Sequence, residues 1–318
     1  MTEYTIREVE SRRDLKKFIR FPLELYKECD QYVPPLFKGQ EHELMHAAPL
    51  KYCTRKMWIV EDAGGKVVGR ICAMINPRYN EKYGKKRVRF GWFDLINDMK
   101  VAQMLFEAAE SWAKAEGMDE IHGPLYYNTL GRQGMLVEGF DKLAPFSCIY
   151  NYPYYVDIVT GLGFEKECDW IQYMMPADQG VDERMTAIAE RMMARYKIHV
   201  ADFDELKKDP ENIRKFFKAY NESFDGIVHN FIPFTDEEIE EEVKQIIGQL
   251  DSRLCCVLMD EDNEVAAFGI STACVSRAMQ KAKGRLFPFG WYHVMKALKN
   301  FEHIDLMIQG AAPKWQNT

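Results

Sequence analysis

The amino-acid sequence predicts an α/β (α+β) protein that contains two copies of one domain, and a repeat carries this prediction. The segment Asp-Leu-Lys-Lys-Phe-Ile that begins at Asp14 returns 198 residues later as Asn-Ile-Arg-Lys-Phe-Phe, from Asn212. The strand–turn–strand segment that begins at Ile59 returns at Val257 with the same offset. Each copy orders its elements alike, with a short strand, helical segments and then a hairpin. Two elements that share one offset indicate an internal duplication.

The elements of the first copy follow from hydrophobic periodicity and from helix and turn signals. Asp98 is a good N-cap for the clearest helix, which Gly117 should end. Pro22 lies inside the first helix and is expected to interrupt or kink it, because proline has no N–H to donate. The predicted strands are 4–8, 57–61, 67–75, 88–96, 120–125 and 164–174, and the predicted helices are 13–27, 39–46, 99–116 and 154–161.

The second copy is predicted in the same way. Polar residues 177–183 indicate a linker, and a connecting helix is expected at 183–196. We therefore predict a first domain at 1–176, a linker with its helix at 177–196, and a second domain at 197–318. The second copy has no counterpart of residues 99–174, so it is expected to be truncated. Its predicted strands are 198–203, 254–259, 264–273 and 303–309, and its predicted helices are 209–224, 235–250 and 292–299.

Length and composition exclude several classes of protein. A chain of 318 residues with 47% hydrophobic residues can build two packed cores. Its net charge of −7 argues against nucleic acid, which needs a concentrated basic surface. No apolar run approaches the ~18 residues that cross a bilayer, and no secretory signal begins the chain. The eight cysteines have no metal-ligand spacing. We therefore expect a cytoplasmic, metal-free protein without a nucleic-acid or membrane partner.

The order of elements resembles the GNAT superfamily of N-acetyltransferases, with a long helix after the fourth strand and Gly163-Phe164 ending the next helix. The segment from Gly123 through Tyr154 and Tyr155 to Phe164 looks like a family of tandem-GNAT proteins of unassigned substrate. The resemblance implies two GNAT-like domains, each with a mixed, mostly antiparallel central sheet flanked by helices, the second incomplete. It also implies acetyl-CoA, or another acyl-CoA, as co-substrate and a primary amine of a small molecule or peptide as acceptor.

The resemblance places a cofactor site at the end of the second copy. Family members hold the CoA pyrophosphate with the pattern Val-x-Pro-x-x-(Gln/Arg)-x-x-Gly-x-(Gly/Ala), whose backbone N–H groups face the phosphates. Pro313 and Gln316 match its proline and glutamine, directly after the last predicted strand. A loose C-terminal tail is the alternative. A truncated second copy should also pair with another chain, as a homodimer, or have a poorly ordered end. The predicted cofactor contacts are Gln309, Gly310, Ala311 and Gln316.

The first copy departs from the family pattern. Residues 94–100 contain neither glycine nor arginine, and the carboxylates of Asp94 and Asp98 would repel a pyrophosphate. The family's usual tyrosine, four residues before the Gly-Phe pair, is replaced by Val159. We therefore expect the first copy to keep the fold without the cofactor chemistry.

Acceptor contacts are predicted mainly in the first copy. Asn128 and Arg132 lie in the loop that borders the acceptor site of the family, and Tyr154 and Tyr155 begin a helix beside it. His229 lies in the loop between the second copy's helices. Ordinary turn chemistry explains Asn128 equally well, and core packing is the alternative for the two tyrosines.

Two functions remain open at this point. The first is an acyl-CoA-dependent N-acyltransferase, which would transfer an acetyl group to a primary amine. The second is a non-catalytic GNAT-like binding or scaffolding protein, which the missing glycines and Val159 favour. No Gly-x-Ser-x-Gly, Gly-x-Gly-x-x-Gly or Walker motif points to another class of enzyme. No catalytic residue is predicted, because the sequence identifies no general base.

Overall fold

The chain divides into two compact units in a computed structural model that describes residues 3–176, 180–245, 247 and 250–316. The first unit comprises Met1–Glu167 and Cys274–Phe301. The second comprises Cys168–Ala273 and Glu302–Thr318. The sequence-based boundaries differ, because they assign the segment Cys274–Phe301 to the second domain. Part of the predicted linker, residues 177–179, lies outside the described residues.

The first unit contains a five-stranded sheet in the order β1-β2-β3-β4-β5. Neighbouring strands are antiparallel except for β4 and β5, which are parallel. Its strands are β1 (Tyr4–Glu8), β2 (Thr54–Asp62), β3 (Val67–Ile75), β4 (Arg87–Leu95) and β5 (Glu120–His122). Its helices before residue 167 are α1 (Arg12–Leu25), α2 (Phe37–Met45), α3 (Pro77–Tyr83), α4 (Met99–Ala115) and α5 (Tyr154–Gly161).

Helices cover both faces of this sheet. The apolar stripe of α4, with Val101 and Leu105, packs with α5 on one face. Leu15 and Phe18 of α1 and Leu44 of α2 pack on the other face. Asp98 caps α4 by accepting from the N–H of Lys100, as its position predicts.

Pro22 was expected to interrupt or kink the first helix; an interruption is wrong, since α1 continues to Leu25, and a kink stays a prediction. A proline at this position leaves the carbonyl of Phe18, four residues earlier, without its helical donor. Arg70 Nη1 donates to that carbonyl at 2.8 Å. A buried guanidinium therefore replaces the missing N–H, and the helix is kept.

The second unit contains a four-stranded antiparallel sheet in the order β6-β7-β8-β9. Helices pack on one face of this sheet around an aromatic core that includes Phe216, Tyr220 and Phe268. Its strands are β6 (His199–Val200), β7 (Cys255–Met259), β8 (Val265–Ala273) and β9 (Ile304–Ala311), and its helices are α6 (Glu183–Tyr196), α7 (Phe203–Leu206), α8 (Pro210–Phe224) and α9 (Asp236–Gln245).

The two hairpins share an irregularity that matches the sequence repeat. The β2–β3 ladder shifts register between Val60 and Glu61. The β7–β8 ladder shifts between Leu258 and Met259, at the same offset of 198 residues. A bulge at one equivalent position in two sheets is a local feature that duplication preserves. The predicted fold class, mixed α/β with two sheets flanked by helices, is confirmed.

Several predicted elements need correction. The predicted strand 164–174 is wrong, because residues 164–176 contain neither strand nor helix. A strand needs a neighbour to pair with, and no described strand pairs there. The strand predicted at 198–203 shortens to β6, and α7 follows it. Two helices were not predicted. They are α3, which precedes β4, and α10 (Ser276–Ala282), which precedes α11 (Gly290–Lys299).

Candidate functional site

The end of β4 in the first unit is closed by two tyrosines. Leu95 N–H donates to the hydroxyl of Tyr155 at 3.0 Å, and the hydroxyl of Tyr154 donates to Leu95 O at 2.6 Å. Tyr155 is 1% exposed. Both polar backbone groups of Leu95 are therefore satisfied by side chains of α5, and its N–H is not available to a ligand.

The Tyr155 hydroxyl continues into a buried hydrogen-bonded chain. It lies 2.8 Å from the hydroxyl of Tyr26, which donates to Asp94 Oδ1 at 3.0 Å. Because Tyr26 uses its proton on Asp94, Tyr155 must donate to Tyr26. Burial raises the pKa of Tyr155 and of Tyr26 well above the ordinary tyrosine value. Both phenols therefore remain protonated donors at neutral pH.

Asp94 and Arg70 form an ion pair beneath this chain. Arg70 Nε and Nη2 lie 2.8 and 2.7 Å from Asp94 Oδ2. Burial raises the pKa of Asp94, and the charge of Arg70 opposes the rise. The sequence predicts that the Asp94 carboxylate would repel a pyrophosphate, which argues against cofactor binding by the first copy. In the structure this side chain is 7% exposed and paired with Arg70 inside the unit.

A small pocket adjoins this ion pair. Its volume is about 40 Å³, and a water molecule needs about 10–15 Å³. Gln40 Oε1 and Trp92 Nε1 have no hydrogen-bond partner, although each residue is only 2% exposed. The pocket therefore offers unpartnered polar atoms to a few water molecules or to a small polar group. The polar and aromatic residues that line it include Gln40, Arg70, Trp92, Asp94, Arg132 and Tyr155.

The structure brings two of the predicted acceptor contacts to this pocket, Arg132 and Tyr155. Arg132 Nη2 also donates to Phe146 O at 2.7 Å. Asn128 instead stabilises its own turn, since its Oδ1 accepts from Gly131 N–H at 3.1 Å. Tyr154 lies beside Tyr155, with ring centroids 5.1 Å apart, and its hydroxyl is held by Leu95.

Arg70 and Gln40 were not predicted as pocket residues, and Asp94 was predicted only as a group that repels phosphate. They lie on three separate elements, so no motif spacing connects them. One signal was present, because Arg70 interrupts the otherwise apolar strand β3 and Asp94 follows a run of apolar residues in β4. A charge inside such a strand indicates a buried pair.

In the second unit, β9 carries the predicted cofactor residues. Gln309 is exposed, while Gly310 and Ala311 are partly buried. A side chain at position 310 would place its Cβ 2.5 Å from the ring of Phe268, so packing already requires glycine there. No described strand pairs with the outer edge of β9.

A short 3₁₀ turn, Pro313–Trp315, follows β9 and leads to Gln316. Gln316 Nε2 donates to Ala311 O at 2.9 Å and lies 3.4 Å from Ser223 O. The amide therefore holds the end of β9 against α8.

A cavity of about 260 Å³ lies beside this turn. Three lysines line it, and each is paired with a carboxylate. Lys215 and Lys218 lie 3.3 and 3.8 Å from Glu264, and Lys314 lies 3.3 Å from Asp260. A phosphate bound here would have to compete with these carboxylates for the lysines.

His229, the remaining predicted contact, is an exposed residue of the second unit, in the connection between α8 and α9. Among the described residues, no group of three or more His, Cys, Asp or Glu side chains could hold a metal ion. The expected absence of a metal stays a prediction.

A solved structure aligns with the whole chain. It is the GCN5-related glucosamine N-acetyltransferase region of a fungal multi-domain GH3 β-N-acetylglucosaminidase, with a TM-score of 0.51 and 13% identity. The alignment covers 100% of this chain and 32% of that one, so the chain spans about a third of that protein's length. The chain has the GNAT fold. This confirms the predicted GNAT resemblance at the level of fold.

Two curated proteins are similar to this GNAT-fold chain in sequence. Protein YghO of Escherichia coli (strain K12) is 29% identical over 293 residues, which cover 91% of this chain and 73% of that protein. The bacterial ceramide synthase of Caulobacter vibrioides (strain NA1000 / CB15N) is 27% identical over 320 residues, which cover 98% of this chain and 81% of that protein. No protein-family model matches the chain. Within the described part of this GNAT-fold chain, no helix is both long and apolar enough to cross a membrane.

Proposed function

We propose that this protein is an acyl-CoA-dependent N-acyltransferase whose second unit holds the acyl donor. The nitrogen lone pair of a primary amine would attack the thioester carbonyl. The new C–N bond would replace the C–S bond, the CoA thiolate would leave, and the proton lost by the amine would end on that sulfur. This chemistry needs alignment and hydrogen bonds to the carbonyl more than it needs a nucleophilic side chain.

The contrast between the ends of β4 and β9 carries the proposal. These strands follow the two repeated hairpins and are therefore equivalent. At the end of β4, Tyr154 and Tyr155 satisfy both backbone groups of Leu95, and Asp98 occupies the N-terminus of α4. The outer edge of β9 has no partner among the described strands. An acyl thioester can therefore hydrogen-bond to the backbone of β9 but not to the end of β4.

The predicted cofactor residues are assigned on the same basis. The backbone of Gln309, Gly310 and Ala311 would flank the pantetheine arm along β9. Gln316 would lie at the pyrophosphate, after exchanging its bond to Ala311 O for one to a phosphate oxygen. That exchange would favour binding, because a hydrogen bond to a charged phosphate oxygen is stronger than one to a neutral backbone carbonyl.

A sequence relative supports an amine acceptor. A ceramide is an amide of a fatty acid with a long-chain amino alcohol, so a ceramide synthase is named for forming an N-acyl bond. We therefore extend the predicted acetyl donor to longer acyl groups, and we propose a small-molecule amine as acceptor. Arg132 and Tyr155 would bind a polar group of a ligand in the pocket of the first unit, while acceptor roles for Asn128, Tyr154 and His229 stay predictions.

Calorimetry with acetyl-CoA and with palmitoyl-CoA tests the donor site on the full chain. We expect binding of at least one thioester, and Gln316→Ala should weaken it about two- to ten-fold, the worth of one hydrogen bond. Gln103→Ala is the matched control, because Gln103 is an exposed residue of α4 in the first unit. Thiol release with added amines then tests transfer. Absence of binding by the wild-type chain would contradict the proposal and favour a non-catalytic binding protein.

A further inference from the structure

The segment Cys274–Phe301 belongs to the first unit and forms a helical hairpin, α10 and α11, that packs against the rest of that unit. Val275 and Met279 are buried with Tyr26 and Val33 in one apolar cluster. Gln280 Nε2 donates to the carbonyls of Asp30 and Tyr32, at 2.7 and 3.0 Å. The hairpin is thus anchored along one side by packing and hydrogen bonds.

The other side of the hairpin exposes large apolar side chains. They begin in the loop between the helices and continue onto the outer face of α11. The exposed fractions are 75% for Phe287, 73% for Phe289, 47% for Trp291, 53% for Tyr292 and 46% for Met295. Contiguous exposed aromatic residues indicate a surface that binds something.

Backbone contacts hold this loop in place. Trp291 N–H donates to Leu286 O at 2.7 Å, and the indole Nε1 donates to Pro288 O at 3.0 Å. A side chain at position 290 would place its Cβ 2.0 Å from Arg285 O, so the chain turns tightly into α11. The aromatic residues therefore project from a defined turn.

The charge of the hairpin is opposite to that of the whole chain. Residues 276–299 contain six basic residues and neither aspartate nor glutamate, whereas the whole chain has a net charge of −7. All six basic residues are exposed: Arg277, Lys281, Lys283, Arg285, Lys296 and Lys299. The five exposed apolar residues and these six basic residues together form the hairpin patch.

We propose that the hairpin patch docks the protein on the surface of an anionic lipid bilayer. Aromatic side chains insert well at the headgroup level, and lysine and arginine are attracted to anionic lipids. A second copy that docked through the same patch is a poor occupant, because the two patches would bring the same six positive charges together. The prediction of no membrane partner rested on the lack of a bilayer-spanning run, and docking at the surface needs no such run.

Sedimentation with vesicles tests this directly, using the full chain. Vesicles of phosphatidylcholine alone are compared with vesicles that contain one part phosphatidylglycerol to three parts phosphatidylcholine. We expect binding to the anionic vesicles that weakens in high salt, because exposed charges are screened. The triple variant Phe287→Ser/Phe289→Ser/Trp291→Ser should weaken it by at least about ten-fold, through lost apolar burial. Lys296→Glu/Lys299→Glu should weaken binding only to the anionic vesicles.

The matched control substitutes apolar residues of similar exposure outside the hairpin, as Trp170→Ser/Tyr173→Ser, at residues 53% and 83% exposed. This control should bind vesicles like the wild type. Thermal unfolding checks that every variant is folded, which we expect since the substituted side chains are exposed. The proposal is wrong if the wild type does not bind anionic vesicles. It is equally wrong if Trp170→Ser/Tyr173→Ser weakens vesicle binding as much as the triple variant does. It is also wrong if the triple variant still binds vesicles while light scattering shows that the substitutions convert a dimer into a monomer, because the patch would then be a contact between two chains.

Discussion

Arg70 and Asp94 form a two-pronged ion pair between β3 and β4, with Nε and Nη2 of the arginine at 2.8 and 2.7 Å from Oδ2. Nη1 of the same guanidinium donates to Phe18 O, the carbonyl that Pro22 leaves without a donor. The buried side chain of Arg70 therefore connects α1, at the carbonyl that has no helical donor, to Asp94 of the sheet. Tyr26 and Tyr155 extend the connection to Leu95.

Arg70→Met should destabilise the protein by about 3–5 kcal/mol, because it leaves the Asp94 carboxylate buried without its counter-ion. Denaturant unfolding measures the loss. Arg12→Met, at an exposed residue of α1, should change stability by less than about 0.5 kcal/mol. The double variant Arg70→Met/Asp94→Leu should be less destabilised than Arg70→Met alone. A double variant that is equally destabilised would show that the ion pair is not the cause.

Tyr155→Phe should destabilise the first unit by about 1–3 kcal/mol, because it removes the acceptor of Leu95 N–H and the donor to Tyr26. Hydrogen exchange should show faster exchange at the Leu95 amide. Tyr173→Phe, at a residue 83% exposed, is the control and should leave stability unchanged. An unchanged Leu95 amide in Tyr155→Phe would contradict the closed end of β4.

Much of the fold could be predicted, because local signals fix many elements. The strands at 4–8 and 67–75 and the helices at 154–161 and 183–196 are predicted to the residue. A buried strand such as 67–75 is apolar throughout and is bounded by turn residues. The failure at 164–174 has a physical reason, since a strand requires a partner and the sequence does not state which strands lie side by side.

The candidate site was less predictable than the fold. Arg70 and Asp94 are 24 residues apart, and only the β3–β4 register makes them neighbours. Gln40 reaches the pocket from a helix on one face of the sheet. The resemblance pointed to the loop that contains Arg132, which lines the pocket. It also offered Asn128 and Tyr154 as ligand contacts, with turn chemistry and core packing as the alternatives, and each makes a hydrogen bond to the protein's own backbone.

Acid should remove a contribution that Asp14 makes to stability. Hydrogen bonds from Arg7 and then from Ser11 lower the pKa of Asp14 from 3.8 to about 2. A carboxyl whose pKa is lowered by folding stabilises the folded state above pH ~4, and this stabilisation is lost as the pH falls towards ~2. Because Arg7 is 35% exposed, solvent screening limits the effect to about 1–2 kcal/mol.

Asp14→Asn should therefore be less stable than the wild type at neutral pH, and the difference should vanish near pH ~2. Urea unfolding at several pH values measures this. Asp119→Asn, at an exposed residue outside any described ion pair, is the control and should show no such dependence. A difference that persists unchanged at the lowest pH would contradict the assigned role of the Arg7–Asp14 pair.

Thiol alkylation should modify exposed cysteines of the native protein and leave buried cysteines unmodified. Cys72 is 0% exposed, and burial raises its pKa to about 12, whereas Cys168 is exposed. At pH ~8 only about one Cys72 side chain in ten thousand would be a thiolate even if reagent could reach it. Peptide mass spectrometry after iodoacetamide treatment should find Cys168 labelled in the native protein and Cys72 unlabelled. In guanidinium chloride both should label alike, since unfolding removes the burial. Equal labelling in the native state would mean that reagent enters the core between β3 and α1, and that core is what holds the Arg70–Asp94 pair away from water.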